Sequence, residues 1–234
     1  MKEVNRTPGH RSDVDELAKM FRYATEPTRN KRRTPLHRFL MISVATLARP
    51  DAAHDVSTAA ERGQWNSKFH VLNLNPKGRR QTKKYRPVVP VARQVAPWLD
   101  ATNGYFVAAS SVRSAWDNMA TEIGLPREGE SGMKLIRRSM AKLLRDRLPK
   151  ADWVEVELFL GHSKFDNISD IYAPFDPSYC AVARKEIEAI IDEIEALVPG
   201  AFTGFAPDEE KGGVRHAPPK SLMVKGKNGG RGKD

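Results

Sequence analysis

The 234-residue chain contains a single cysteine, Cys180, so an internal disulfide and a cysteine-rich zinc site are both excluded. It has no apolar run long enough to cross a membrane. Its first residues, MKEVNRTPGHRSD, also lack the apolar core of a signal peptide. We therefore expect a soluble, cytoplasmic protein that has no membrane partner.

Acidic residues are missing from residues 62–93, a stretch that contains nine lysines and arginines. A second basic segment, 134–147, has six lysines and arginines and one acid. The acids collect elsewhere, at 13–16 and 186–195, although the net charge of the whole chain is +10. Charge that is segregated in this way favours a surface that binds a polyanion, most often nucleic acid, over a basic surface that only aids solubility.

The hydrophobic periodicity predicts an α+β domain that is mainly helical and has one small antiparallel sheet. FHVLNL and RPVVPV indicate two strands of a β-hairpin within 69–91, and the prolines place the second strand at the sheet edge. The segment 37–48 is apolar on nearly every side, which is typical of a buried helix. The other predicted helices are 13–25, capped by Ser12, a helix from Ser110 or Ser111 to 123, and 132–148, 152–160 and 178–198.

These elements predict one domain over residues 12–198, between a flexible lead-in at 1–11 and a flexible basic tail at 199–234. Only about a dozen residues precede the first predicted helix. The final helix has a narrow apolar stripe from Ile187 to Leu197. The residues alone suggest that this stripe docks on its own domain.

Several polar residues stand at the ends of predicted elements. Arg49 closes the buried helix and needs either an internal acid, such as Asp51, or a bound anion. Arg137 lies one turn after Lys134 on a basic helix face, and His162 follows the helix at 152–160. Taken singly, each has an ordinary structural explanation: a salt bridge, a solvated face or a helix cap.

The order of these residues is more specific than any one of them. Along the chain come Arg-Pro-Asp, the hairpin GRRQTKKYRPVVPV, then KLIRR on a helix, then LGHS and finally IYAP. This order resembles the catalytic domain of the tyrosine recombinases, the phage-type integrases, over residues 12–198. The resemblance implies that family's fold and a site-specific DNA recombinase of prophage or mobile-element origin, associated with the bacterial nucleoid.

The resemblance also implies roles for individual residues. Tyr172 matches the nucleophile, Arg49 and Arg137 the two phosphate-clamping arginines, and His162 and Lys134 the remaining motif positions. The general acid in the hairpin is Lys83, with Lys84 as second choice, and Asp51 supports Arg49. The residues expected to contact DNA are Lys77, Arg79, Arg80, Lys84, Arg86 and Arg138.

The chemistry of phosphoryl transfer explains this set. Forked guanidinium groups stabilise the oxygens of a five-coordinate phosphorus, and cations favour the tyrosine phenolate. A lysine can protonate the departing 5′-oxygen. The acids do not cluster around these motifs as a two-metal site requires, so we expect no metal and no cofactor.

The chain departs from the family pattern in three places. His162 and Tyr172 are ten residues apart, where nine is commoner, and Lys134 replaces a more frequent histidine. The core-binding domain that precedes the catalytic domain in the family is expected to be absent. Two alternatives therefore stay open, a catalytically silent DNA-binding remnant and a DNA-relaxing enzyme like a type IB topoisomerase. Tyr179 is the rival nucleophile. The family also implies a homotetramer on DNA, joined through the helix at 178–198.

Overall fold

The computed structural model describes residues 8–26, 33–126, 129–162, 176 and 180–203. Within them the chain is mainly helical and has a small antiparallel sheet, which confirms the predicted fold class. Among the described residues, no helix is both long enough and apolar enough to cross a bilayer. The helices are α1 (Val14–Thr25), α2 (Arg33–Thr46), α3 (Pro50–His54), α4 (Ala96–Asp100), α5 (Arg113–Glu122), α6 (Leu135–Arg147), α7 (Trp153–Phe159) and α8 (Ala181–Leu197). The strands are β1 (Trp65–Asn66), β2 (Val71–Asn73) and β3 (Val88–Pro90).

Helix α2 is the central element, as its all-round apolar sequence predicts. It contacts α1, α3, α5, α6 and α8, and the side chains of Leu36, Phe39 and Leu40 have no exposed surface. The helix ends at Thr46 because Leu47 has a φ of +53°, in the left-handed region that non-glycine residues seldom adopt. The sequence suggested that Arg49 closes this helix, and that prediction is wrong. Arg49 stands at the N-cap of α3 instead.

Helix α1 begins one residue later than its sequence predicts. Asp13 is the N-cap, and its carboxylate accepts a hydrogen bond of 2.8 Å from the backbone N–H of Glu16. Ser12, the predicted cap, donates its backbone N–H to the hydroxyl of Ser139 on α6, at 2.8 Å. Either residue type suits a helix N-cap, so the contact with α6 decided which of the two is used.

The predicted hairpin is confirmed, and β2 and β3 pair antiparallel with Leu72 opposite Val89. The sheet order is β1-β2-β3, so β3 lies at an edge, as Pro87 and Pro90 indicated. Strand β1 was not predicted, because its two residues are too few for an alternating pattern.

Helix α8 docks its apolar stripe on its own domain. Ile187, Ile190, Ile191 and Ile194 are fully buried, and the helix contacts α1, α2, α6 and α7. Within this single chain, the stripe is therefore covered by its own domain. Leu197, expected in the same stripe, is 42% exposed.

The packed chain continues beyond residue 198, where the sequence predicted the start of a flexible tail. Phe202 is buried, and its carbonyl accepts a hydrogen bond of 2.5 Å from the indole N–H of Trp98. The carboxylate of Glu195 accepts the backbone N–H groups of Gly200 and Phe202 at 2.8 and 2.6 Å. Residues 199–203 thus close the core beside α2 and α4.

Candidate functional site

Arg49 and Arg137 bring together four segments that are distant in sequence. Arg49 donates from Nη1 to the carbonyl of Tyr85, at the end of the hairpin loop, at 2.7 Å. Arg137, on α6, donates to the carbonyls of Leu47 and Leu160 at 2.6 and 2.5 Å. The break after α2, the base of the hairpin, the first turn of α6 and the turn after α7 therefore meet at one place.

Neutral carbonyls, rather than carboxylates, hold both guanidinium groups. Among the described residues, no carboxylate lies within ion-pair distance of Arg49 or Arg137. Burial and the nearby charge of Arg49 lower the pKa of the Arg137 guanidinium from 12.5 to about 10, which leaves it charged at neutral pH. The charges of Asp51 and Glu157 offset this lowering only in part, and two like charges held close together favour the binding of an anion.

His162 lies directly beside Arg137. Its Nδ1 is 2.9 Å from the carboxylate of Glu157, and its Nε2 is 3.5 Å from Nη2 of Arg137. A carboxylate at Nδ1 favours the tautomer that carries the proton there, so the lone pair on Nε2 faces the arginine. The imidazole is 52% exposed, so it can also reach a bound molecule.

Glycine at position 161 lets the turn after α7 approach the hairpin. Gly161 has a φ of +59°, and a Cβ there would lie 2.9 Å from the Tyr85 carbonyl oxygen and 3.0 Å from Cδ of Pro87. That same carbonyl oxygen accepts the hydrogen bond from Arg49. The short approach therefore fixes His162, the next residue, relative to both arginines.

A paired substitution tests this approach. Gly161→Ala should lower the free energy of unfolding by about 1–3 kcal/mol more than Gly124→Ala does. Gly124 is the matched control because its φ is +72° and nothing lies within 4 Å of its added Cβ. Both variants thus bear the left-handed strain, and only Gly161→Ala adds a clash. Urea unfolding measures the difference. Equal losses of unfolding free energy in the two variants would show that Gly161 does not lie tightly against Tyr85 and Pro87.

Asp51 does not support Arg49. Its carboxylate is 2.9 Å from Nη2 of Arg86, whose Nη1 lies 2.5 Å from the carboxylate of Asp55. Asp55 also binds Arg62, at 2.5 Å. Arg86 is only 6% exposed, so the structure also corrects its predicted role as a DNA contact. It ties the base of β3 to α3, the helix that follows Arg49.

The other hairpin cations face solvent. Lys77, Arg80, Lys83 and Lys84 are exposed, whereas Arg79 is partly buried and donates to the side chain of Asn75 at 3.2 Å. Lys84 immediately precedes Tyr85, so the hydrogen bond from Arg49 anchors the end of the segment that carries both Lys83 and Lys84. The structure leaves the order of preference between these two lysines open.

Lys134 and Arg138 flank Arg137 on α6. Lys134 is exposed and stands at the N-cap of α6, not within the helix as predicted, and among the described residues its ammonium forms no ion pair. Arg138 is partly buried and donates from Nη2 to the carbonyl of Glu130. Tyr172 and Tyr179 lie outside the described residues.

A groove of about 490 Å³ opens beside Arg137 and His162. Its lining includes Arg11, Arg138, Lys142 and Arg145 and a single acid, Asp146. Sequence reasoning missed Arg11, because the segment before α1 has no periodicity, and Glu157, because an acid on a short helix is common. The five-residue spacing between Glu157 and His162 was the one available signal.

Comparisons of the chain with models of protein families, with curated proteins and with solved structures found no match.

Proposed function

We propose that this protein is a site-specific DNA recombinase of the tyrosine type, which cleaves and rejoins double-stranded DNA through a 3′-phosphotyrosine intermediate. The observation that carries the proposal is the pair Arg49 and Arg137, each held by backbone carbonyls and, among the described residues, neither in an ion pair with an acid. Two such guanidinium groups match the charge and geometry of a phosphodiester. His162, beside Arg137, and the hairpin lysines, which precede Tyr85 in sequence, would supply the proton-transfer groups.

In the proposed reaction, the phosphate oxygens bind Arg49 and Arg137, with Lys134 contributing positive charge. The phenolic oxygen of Tyr172 forms a bond to phosphorus as the bond between phosphorus and the 5′-oxygen breaks. The phenolic proton passes to Nε2 of His162, and the 5′-oxygen takes a proton from Lys83, with Lys84 as the alternative donor. Rejoining reverses each transfer, with a 5′-hydroxyl as the nucleophile.

The placement of His162 supports its part in this scheme. Nε2 carries the lone pair when Nδ1–H binds Glu157, so it can accept the phenolic proton without a change of tautomer. After that transfer, the imidazolium lies between Glu157 and the bound phosphate, and both of these anions stabilise it.

The experiment traps the covalent intermediate. The substrates are a library of labelled duplexes, each nicked near a randomised central sequence. After cleavage, the short fragment beside the nick diffuses away and cannot rejoin. The covalent adduct therefore accumulates, and it survives denaturant. We expect an adduct from the wild type and from Tyr179→Phe, and none from Tyr172→Phe. An adduct that persists in Tyr172→Phe but is lost in Tyr179→Phe would move the nucleophile to Tyr179.

The same assay separates the proposal from its main alternative. Duplex binding by the wild type without any adduct would overturn the recombinase proposal and favour a DNA-binding remnant. A 5′-bridging sulfur makes the leaving group independent of a general acid, so it should restore cleavage in Lys83→Ala. If it restores cleavage only in Lys84→Ala, the general acid is Lys84.

A further inference from the structure

The chain segment before α1 is fixed against the start of α6. The backbone N–H of His10 donates to the carboxylate of Glu130 at 2.8 Å, and that of Ser12 donates to the Ser139 hydroxyl at 2.8 Å. Nε2 of His10 lies 2.7 Å from the carboxylate of Glu16. These contacts place Arg11 in the wall of the groove that begins at Arg137 and His162.

The cations of this groove fall into two classes. Lys142 is paired with Asp146, and Arg145 with Glu157, so internal acids offset their charges. Arg11 instead donates to the carbonyls of Pro8 and His10, at 2.7 Å each, and Arg138 donates to the carbonyl of Glu130. Carbonyls orient a guanidinium group but leave its full charge in place.

Arg11 and Arg138 line the same groove, and the charge of Arg11 acts on Arg138. Burial first, and then the charge of Arg11, lower the pKa of the Arg138 guanidinium, against an opposing effect of Glu130. The Nε of Arg138 is buried and has no hydrogen-bond partner among the described residues. Like Arg49 and Arg137, Arg11 and Arg138 are thus two cations that backbone carbonyls hold, and both line the same groove.

We propose that Arg11 and Arg138 form a second phosphate-binding subsite, which takes a DNA phosphate next to the one held by Arg49 and Arg137. Arg137 and Arg138 are consecutive on α6, and consecutive helix residues point about 100° apart, so their guanidinium groups serve two neighbouring positions. The segment from Pro8 to Ser12 thus belongs to the DNA-binding surface. This inference rests on the proposed function, because it deepens the description of the same substrate.

The test measures the affinity of a fluorescein-labelled 30-base-pair duplex as a function of salt. Arg11→Gln and Arg138→Gln should each weaken binding about tenfold at low salt and reduce the salt slope by about 0.9, the value for one lost phosphate contact. Arg11→Lys should retain the slope, because it keeps the charge. The matched control is Arg147→Gln, since Arg147 lies on α6 but is paired with Glu186 and Glu193.

Thermal unfolding of each variant shows whether the fold is retained, and Arg11→Lys separates loss of charge from loss of structure. The proposed subsite would be overturned if Arg11→Gln and Arg138→Gln both kept the wild-type salt slope and affinity. It would also be overturned if Arg147→Gln lost as much affinity as they do. A wild type that fails to bind the duplex at 0.05 M salt would overturn it as well. A wild type that binds duplex but forms no covalent adduct would overturn only the proposed reaction, and the slopes would still decide the subsite.

Discussion

Arg137→Lys is expected to slow formation of the covalent DNA adduct by about 100- to 1,000-fold, the usual effect of removing one preorganised donor from an anion site. The guanidinium group of Arg137 bridges the carbonyls of Leu47 and Leu160 and lies beside His162. A lysine has one compact ammonium group, so it cannot span two carbonyls and also present a donor to phosphate. The rate of adduct formation on the nicked duplex measures the loss.

The pH dependence of Arg137→Lys gives a second readout. Burial and the charge of Arg49 lower the pKa of Arg137 to about 10. The same surroundings would lower the pKa of a lysine, which starts below that of arginine, so the lysine loses its proton at a lower pH. The ratio of the variant's rate to the wild-type rate should therefore fall between pH 6.5 and pH 9.

Arg147→Lys is the matched control, because it makes the same exchange on α6 at a site paired with the exposed Glu193. Its rate should stay within about twofold of the wild type, since exposed ion pairs contribute little. A comparable loss in both variants would mean that a general change in α6, rather than the phosphate site, explains the result. A rate ratio for Arg137→Lys that does not change with pH would contradict the proposed effect of burial.

Arg86→Met is expected to have the largest effect on stability, a loss of about 3 kcal/mol in the free energy of unfolding. Arg86 is 6% exposed and binds both Asp51 and Asp55, so its removal leaves Asp51 without its ion-pair partner and Asp55 with Arg62 alone. The loss stays at the lower end of the range for buried pairs, because the side chain of Asp51 is 57% exposed and solvent screens it. Urea unfolding at neutral pH measures it.

Arg93→Met serves as the control, since Arg93 pairs with Glu188 and Asp192 but is 60% exposed. Its loss should be under about 1 kcal/mol. Equal losses in Arg86→Met and Arg93→Met would show that the Arg86 pairs do not hold the hairpin to α3.

The pH dependence of Arg86→Met has a definite sign. Burial alone would raise the pKa of the Asp51 carboxyl, but the hydrogen bond and the charge of Arg86, together with the backbone N–H groups of Asp51 and Ala52, lower that pKa overall. An acid whose pKa is lowered by folding contributes stability above its unfolded pKa, and that contribution is lost as the pH falls through the folded value. The difference between the wild type and Arg86→Met should therefore narrow below about pH 4.

Local sequence patterns alone were sufficient to predict the main helices and the hairpin. The apolar sequence of 37–48 predicted the central helix, and alternating residues with two prolines predicted an edge hairpin. Both elements have a period that neighbouring residues determine, so no distant contact was needed. Boundaries were less accurate where two residues of similar capping strength compete, as Ser12 and Asp13 do.

The order of polar residues along the sequence predicted that Arg49, Arg137 and His162 would meet, but not what would hold them. Arg49, Arg137 and His162 lie at one place as expected, yet Asp51 pairs with Arg86 and not with Arg49. Ion-pair partners and burial depend on distances between segments, here 35 residues apart for Asp51 and Arg86, and no local pattern encodes those distances. The sequence thus determined the helices, the hairpin and the basic residues, whereas only the tertiary structure decided which cations pair with internal acids and which are held by neutral carbonyls.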